Sequence, residues 1–466
     1  MTLPAKFVER VLRDLGGTEG AALCAALDAE PPVSVRLNPA KTGADTLPAG
    51  PDAGLPVPEA AGLPALAIAG RVPWSRDGRY LAVRPSFTLD PDFHAGAYYV
   101  QEASSQFVGH LLAAVRTEGA RILDLCAAPG GKTTLYASLA GPDGLVVANE
   151  IDRRRASVLA DNVRKWGTGN VAVTTCEPRA LGDFEAWFDV VAVDAPCSGE
   201  GMFRKDPDAR GEWSEGNVKQ CAARQDEILR EAWRALKPGG TLVYSTCTFN
   251  RDEDEGALER MAAWAGDEIA ESEETAVEDA WGIVCGRVGA FRTFRFYPHR
   301  TCGEGFFAAV ARKSFDAGGR VRAPKARRTV FAAVDRKTAG ELARWVRNPG
   351  GMRFAAVADT CYAWYAAQAD AVRTLSEALP VIYSGVALGQ VFKGVLKPDP
   401  ALAFFDGLNR GALPAAELDD EETLRFLRRQ DIAAGGLAEG MNLVCSRGRA
   451  LGFAKRIGAR VNNLYP

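Results

Sequence analysis

Three stretches of this chain hold residue types that can do chemistry. Asp194-Ala195-Pro196-Cys197-Ser198-Gly199 presents one cysteine after the apolar run Val190-Val191-Ala192-Val193. Tyr244-Ser245-Thr246-Cys247-Thr248 presents a second after Thr241-Leu242-Val243-Tyr244. Asp124-Leu125-Cys126-Ala127-Ala128-Pro129-Gly130-Gly131-Lys132-Thr133 follows a third such run. Each run reads as a buried parallel strand, and open α/β sheets bind ligands outside the carboxyl ends of their strands. Two thiols and a glycine-rich loop would then share one crevice, which suits covalent group transfer onto an electron-poor ring.

The chemistry that needs two thiols is specific. Carbon 5 of cytosine is a poor nucleophile until a thiolate adds at carbon 6 and makes the ring enamine-like. Carbon 5 can then attack a methyl sulfonium. The attacking group must be a thiolate. A second group near carbon 5 must remove its proton before the first thiol is eliminated. Asp194, three residues before Cys197, can hydrogen-bond nitrogen 3 of the ring and stabilise developing charge. Free cysteines are more often inert core residues. Cys197 and Cys247 stand apart because both follow strand ends and Cys197 is flanked by Pro and Ser-Gly. Cys176 and Cys221 read as structural, and Cys126 as a backbone contributor to the glycine loop. The chemistry alone does not decide which thiol attacks.

The glycine loop admits three uses. Gly130 and Gly131 allow tight turns and close ligand approach ahead of a helix opening at Lys132. A bare strand-to-helix turn is one use. A nucleotide phosphate loop is another: Gly131-Lys132-Thr133 fits it, but its first glycine position holds Cys126. The third is S-adenosylmethionine, and Glu150 favours it. That acid closes Leu145-Val146-Val147-Ala148-Asn149 about twenty residues after the loop, where a carboxylate holds ribose hydroxyls in dinucleotide folds. Glu177, past the next strand, is placed to bond the adenine amine or to be an ordinary surface acid.

The elements that must position these residues follow from the pattern. From Ala120 to Lys313 apolar runs alternate with helical segments, the mark of a parallel sheet with crossover helices. Strands are expected at 121–126, 145–150, 170–176, 189–194 and 241–246, with a closing antiparallel pair at 291–297 and 305–311. An amphipathic helix (Phe7, Val8, Val11, Leu12, Leu15) and an extended piece at 33–39 precede them, and 43–70 reads as loop. The acidic tract from Asp267 to Asp279 reads as solvated surface. Residues 312–328 hold seven basic side chains against Asp316 and read as an exposed linker.

At 466 residues the chain is long enough for two to four domains. Its 47% hydrophobic and 25% charged content is that of a globular protein. No run approaches membrane-span length and no signal peptide opens the chain. Ten scattered cysteines without a CxxC pair, and three histidines, argue against zinc or a disulfide scaffold and for a reducing cytoplasm. A net charge of −3 argues against coating nucleic acid by bulk charge, while leaving room for local basic surfaces.

The segments His94 to Ser105, Asp124 to Thr133, Asp194 to Pro207 and Lys237 to Thr248 together resemble the RsmB/RsmF-type RNA (cytosine-5)-methyltransferases, most closely the RsmF-like 16S rRNA branch. The ending from Gly448 to Pro466 resembles the PUA-like RNA-binding module of that branch. The resemblance implies a Rossmann-like S-adenosylmethionine-dependent core with a mixed seven-stranded α/β sheet. It implies Cys247 as nucleophile and Cys197 as release cysteine, the reverse of the order in DNA cytosine methyltransferases. Cofactor contacts would fall on Cys126, Ala127, Ala128, Pro129, Gly130, Gly131, Lys132, Glu150, Glu177 and Asp194, with Glu177 one methylene longer than the family's usual Asp. The family's Glu-Asn-Glu after the nucleophile is here Glu253-Asp254-Glu255, expected to be harmless.

The expected domains are an RNA-binding extension at 1–115, the catalytic domain at 116–313, a linker and small intermediate domain at 314–380, and a PUA-like domain at 381–466. The expected partner is ribosomal RNA of the small subunit, with transfer RNA or a silent RNA-binding assembly role as alternatives. A cytoplasmic monomer without membrane or metal is expected. A target cytosine must be single-stranded or flipped out; Arg204, Lys205 and the basic carboxyl end read equally as phosphate contacts or as ordinary surface charge, and Phe203 or Trp213 as base-stacking or core aromatics.

Overall fold

The computed structural model describes residues 2–43 and 63–466. The expected loop at 43–70 therefore falls mostly outside the described residues. Its end does not: Ile68–Arg71 is a strand. The amino-terminal unit holds β1 (Val33–Leu37), β2 (Ile68–Arg71), β3 (Gly78–Leu81) and β4 (Tyr98–Tyr99), in the order β2-β3-β1-β4. Helix Ala5–Leu15 precedes them and buries Phe7 and Val11, two of the five apolar positions read from the sequence.

The central sheet is built from β5 (Arg121–Asp124), β6 (Leu145–Asn149), β7 (Val171–Thr174), β8 (Phe188–Asp194) and β9 (Leu236–Thr246), all paired parallel. β10 (Ile269–Ala270), β11 (Val284–Val288), β12 (Phe291–Phe296) and β13 (Phe306–Lys313) complete this side. β13 pairs antiparallel with both β9 and β12. Read from β7 through β6, β5, β8, β9 and β13 to β12, the order is the expected mixed seven-stranded core. It lies inside a sheet of ten strands. All five residues of β6 are buried, as a parallel strand covered by helices on both faces requires. Helix Arg153–Trp166 starts where Asp152 caps the amides of Arg154 and Arg155, and stops at Gly167 in the left-handed region.

Beyond the core come β14 (Ala332–Ala333), β15 (Met352–Val357), β16 (Thr360–Tyr365), β17 (Val381–Ser384), β18 (Val386–Phe392) and β19 (Val395–Pro398). β14, β15, β16, β18 and β19 form one sheet, while β17 leaves it and pairs with β7 at the edge of the catalytic sheet. The expected boundary between 380 and 381 therefore cuts through hydrogen-bonded structure. The last sheet, β20 (Ala415–Glu417), β21 (Gly440–Ser446), β22 (Arg449–Ile457) and β23 (Arg460–Asn463), begins only at 415. Nor is 312–328 wholly an exposed linker. Lys313 is buried in β13 with its ammonium on the carbonyls of Trp233 and Leu236, and Arg328 donates to the carbonyls of Ser376 and Leu379. The acidic tract is largely exposed, though Ile269 and Ala270 within it pair with β13. Among the described residues no helix is long and apolar enough to cross a membrane.

Candidate active site

β8 and β9 are hydrogen-bonded neighbours with Asp194 opposite Ser245, so the loops that follow them leave the sheet side by side. The Sγ atoms of Cys197 and Cys247 consequently lie 3.3 Å apart, and the Cys247 amide points at Cys197 Sγ at 3.4 Å. The Cys197 thiol is pushed well above its ordinary value by its hydrogen bond to Cys247 and by burial, with the Glu253 carboxylate adding to the effect.

Beside the thiols, Asp194 accepts from Ser245 Oγ at 2.8 Å and pairs with Lys132 Nζ at 2.8 Å. Burial works against the Lys132 ammonium, but Asp194, with Asp124 and Cys247 behind it, outweighs that and holds its pKa above the ordinary value. Lys132 thus links the helix that opens the glycine loop to the ends of β8 and β9. Asp124, at the end of β5, accepts from Thr133 Oγ1 at 2.6 Å and is pushed up to about 7, chiefly by burial. These contacts decide against the phosphate-loop use. Lysine and threonine already hold carboxylates of the sheet, and the first glycine of such a loop is absent.

The remaining loop suits S-adenosylmethionine. Gly130 takes φ +110°, a conformation L side chains rarely adopt, just before helix Gly131–Ala140. The free amides of that helix's first turn are suited to a carboxylate. Glu150 lies at the end of β6, only 3% exposed, accepting from the Asp152 amide at 3.0 Å and pairing with Arg155 at 3.2 Å. A buried carboxylate with so few bonds has capacity left for ribose hydroxyls. Burial pushes the half-buried Cys126 thiol far above its usual range, so its sulfur is inert and its segment contributes backbone. Ala127, Ala128 and Pro129 continue the turn, and Pro129 is fixed by Tyr99 and Asn162 bonding its carbonyl. Glu177 is exposed at the start of helix Pro178–Gly182 and makes no capping bond. Cys176, after β7, bonds Asn149 at the end of β6, Cys221 bonds Asn217 within its own helix, and both lie outside the thiol pair.

Behind the two cysteine loops lies a network that the sequence reading passed over. Glu253 accepts from the Ser198 amide at 2.9 Å, from Gln225 at 2.9 Å and from Asn250 at 2.6 Å. Asn250 also reaches Thr248 Oγ1 at 2.8 Å and Ser198 Oγ at 3.2 Å, bridging the two loops. Glu253 is not the start of a helix, which begins at Glu255. Asp254, where the family has Asn, is fully buried. Arg295 at 3.0 Å and Thr246 Oγ1 at 2.5 Å contact it, and burial outweighs them and pushes its carboxyl well above the ordinary value. The acids clustered after Cys247 were the available signal, but composition alone does not say that they point inward.

Several residues readable as RNA contacts do other work. Phe203 and Trp213 are 0% and 8% exposed and pack edge-on against Phe7. Arg204 is bound to Glu304 at 2.9 Å and to the Gly303 carbonyl. At the carboxyl end, Arg447 and Arg449 pair with Asp90 and Asp92 of the amino-terminal unit, and Arg456 bonds backbone carbonyls. Lys455 and Arg460 remain exposed. The stacking reading and most of the phosphate readings thus give way to a buried aromatic cluster and to ion pairs docking the last sheet.

Comparison with known proteins agrees with this geometry. Residues 111–312 match the family described as 16S rRNA methyltransferase RsmB/F, and 3–103 match the N-terminal domain of 16S rRNA methyltransferase RsmF. Residues 414–466 match the methyltransferase RsmF PUA domain, in accord with a sheet that begins at 415. The chain is 32% identical over 415 residues to ribosomal RNA small subunit methyltransferase F of Shewanella loihica, covering 85% of this chain and 82% of that one. To the Escherichia coli protein of the same name it is 32% identical over 422 residues, covering 85% and 83%. A methyltransferase homologue from Pyrococcus horikoshii, solved as a crystal structure, superposes with a TM-score of 0.54 at 27% identity, covering 66% of this chain and 94% of that one. The chain belongs to the RsmB/F family of 16S rRNA methyltransferases.

Proposed function

We propose that this protein methylates carbon 5 of a cytosine in 16S ribosomal RNA through a covalent adduct on Cys247. The observation that carries the mechanism is the pair of sulfurs 3.3 Å apart beside the Lys132–Asp194 ion pair. S-adenosylmethionine, held by the 126–132 segment and Glu150, supplies the electrophilic methyl sulfonium. By the family's pattern, Cys247 is the sulfur that adds to carbon 6 of the ring. Lys132 is the cation and donor beside the thiols that meets negative charge developing in the ring, and Asp194, accepting from Ser245, holds that ammonium in place. Once carbon 5 is methylated, its proton must leave and the Cys247 bond must break. In this reading Cys197 assists that release. Such proton transfers contribute roughly 10²–10⁴ in rate.

The amino-terminal unit and the carboxyl-terminal sheet would guide the RNA, with a monomer in the cytoplasm as the working form. Glu177 is the weakest member of the proposed cofactor set because it lies exposed. The test uses Cys197→Ala and Cys247→Ala with 16S RNA and S-adenosylmethionine, resolved on denaturing gels. Cys197→Ala should accumulate a protein–RNA adduct and Cys247→Ala should form none; the opposite pattern would exchange the roles. Mapping 5-methylcytosine in RNA from cells lacking the gene identifies the target, and loss confined to transfer RNA would overturn the ribosomal assignment.

A further inference from the structure

We infer that Arg10, in the first helix of the amino-terminal unit, is a positioning residue for the two cysteine loops. The inference rests on the two-thiol reading above. Glu200 follows the Cys197 loop and is completely buried. Its carboxylate accepts from Arg10, from Trp213 Nε1 at 2.9 Å, from the Phe249 amide at 3.1 Å and from Asn250 Nδ2 at 3.3 Å. Phe249 and Asn250 are the second and third residues after Cys247. Asn250 in turn holds Thr248, Ser198 and Glu253, so one carboxamide lies between two buried carboxylates and touches both loops. The Gly201 amide adds a direct bond to the Cys247 carbonyl at 2.8 Å.

Charge explains why an arginine is needed. Glu200 and Glu253 are both 0% exposed, and their other side-chain partners are Trp213, Asn250 and Gln225, all neutral. Arg10 is the cation in contact with Glu200, and Glu253 is reached from there through Asn250. The Arg10 guanidinium lies 5.2 Å from the Trp213 ring centroid and its side chain is 14% exposed. An uncompensated buried carboxylate is strongly unfavourable, so Glu200 without Arg10 would take up a proton or turn toward water. Water has access: a cavity of about 320 Å³ is lined by Arg10, Asn250 and Arg251. Either response loosens the bonds to Phe249 and Asn250 and with them the Cys247 loop. The amino-terminal unit then does more than bind RNA, because it completes the support of the nucleophile through Glu200, 190 residues from Arg10 in sequence.

The experiment compares full-length Arg10→Ala, Arg10→Lys, Glu200→Gln and the Arg10→Ala/Glu200→Gln double variant with the wild type. Steady-state kcat, KM for 16S RNA and RNA Kd by filter binding are measured, together with the rate of adduct formation in the Cys197→Ala background. Arg10→Ala should lower kcat and the adduct rate by about ten- to a hundredfold, as expected for a nucleophile slightly out of place, with KM and Kd within about twofold. Arg10→Lys should recover part of the rate. The double variant should be no slower than the slower single variant, since both changes act on one contact. A raised KM or Kd with unchanged kcat, or strictly multiplicative losses in the double variant, would overturn the inference. Should Arg10→Ala not fold, the Arg10→Lys and Glu200→Gln kinetics decide by the same split. If Arg10→Ala turns over normally while the wild type makes 5-methylcytosine, only this inference falls. If the wild type makes none, the two-thiol reading falls first.

Discussion

Replacing Gly201 by alanine would test whether loop geometry, as distinct from reactive groups, controls this site. Gly201 touches no reacting atom, yet a Cβ built there would lie 2.5 Å from the Gly305 carbonyl oxygen and 2.9 Å from that of Cys247. Ordinary contact begins at 3.4 Å, so the first atom must retreat by about 0.9 Å and the second by about 0.5 Å. Both are backbone atoms. Gly305 precedes β13, which is paired with β9 through Phe307 and Thr246, and its hypothetical Cβ would itself meet the Phe249 ring at 2.3 Å. That side cannot yield cheaply, so the Cys247 carbonyl moves, breaking its bond from the Gly201 amide. Overpacking of this kind costs about 1–3 kcal/mol of stability. A shift of several tenths of an ångström in the nucleophile's backbone should cost roughly tenfold to a hundredfold in kcat. Chemical unfolding gives the first quantity and single-turnover methyl transfer the second. S-adenosylmethionine affinity by calorimetry should stay near wild type, because the cofactor loop and Glu150 follow β5 and β6. A Gly201→Ala protein with wild-type kcat would refute the reasoning, as would loss of cofactor binding equal to the loss of rate.

Three further outcomes are expected. Glu150→Gln should weaken S-adenosylmethionine binding by about 10- to 100-fold, the worth of charged hydrogen bonds to ribose, while unfolding of the ligand-free protein changes little; calorimetric titration measures this, and unaltered affinity would remove Glu150 from the site. Asp124, raised from 3.8 to about 7 by burial, contributes stability that is full below about pH 4 and lost as pH rises through 7. Asp124→Asn should therefore gain on the wild type between pH 5 and pH 8 by about 2.7 kcal/mol in urea unfolding, and an equal difference at both pH values would contradict this. Arg447→Ala combined with Arg449→Ala leaves Asp90 and Asp92, 3% and 1% exposed, without those cations; a loss of about 3–5 kcal/mol is expected, and no loss would show that the carboxyl-terminal sheet docks by other contacts.

The reactive part of this protein was legible because its determinants are local. Val190 to Val193 and Leu145 to Ala148 are continuous apolar runs, and a run buried on both faces looks the same in the sequence as in the sheet. Chemistry placed just after such runs lands at the carboxyl edge by topology alone, which is why Cys197, Cys247, Lys132, Glu150 and Asp194 were found together. Glu177 follows the same rule and is exposed, since a strand end fixes the edge but not the direction of a side chain. The misread residues share a different property: their partners are remote in sequence. Arg204 and Glu304 are 100 residues apart, and Arg447 and Asp92 are 355 apart. A basic residue in isolation reads as a phosphate contact because the acid that neutralises it is invisible. Val381–Ser384 was assigned to the terminal module for the same reason, its partner β7 lying some two hundred residues earlier.

These remote contacts also argue for how the site is assembled. Arg36 of β1 donates to Gln101, to the Gly131 carbonyl and to Thr134 at 2.7, 3.1 and 2.6 Å, and lies 4.5 Å from the Trp166 ring centroid. Tyr99 of β4 holds the Pro129 carbonyl at 3.0 Å. Arg10 holds Glu200 behind the thiols. The amino-terminal unit thus braces the cofactor loop through one surface and the cysteine loops through another, so the two reacting partners share a single support. If the support were dispensable, cutting the chain between the amino-terminal unit and β5 would leave methyl transfer to a short single-stranded RNA intact while weakening only long substrates. The contacts require the opposite. Single-turnover transfer to even a short RNA should fall together with S-adenosylmethionine affinity when Arg36 and Arg10 are removed, because neither contact involves the length of the RNA.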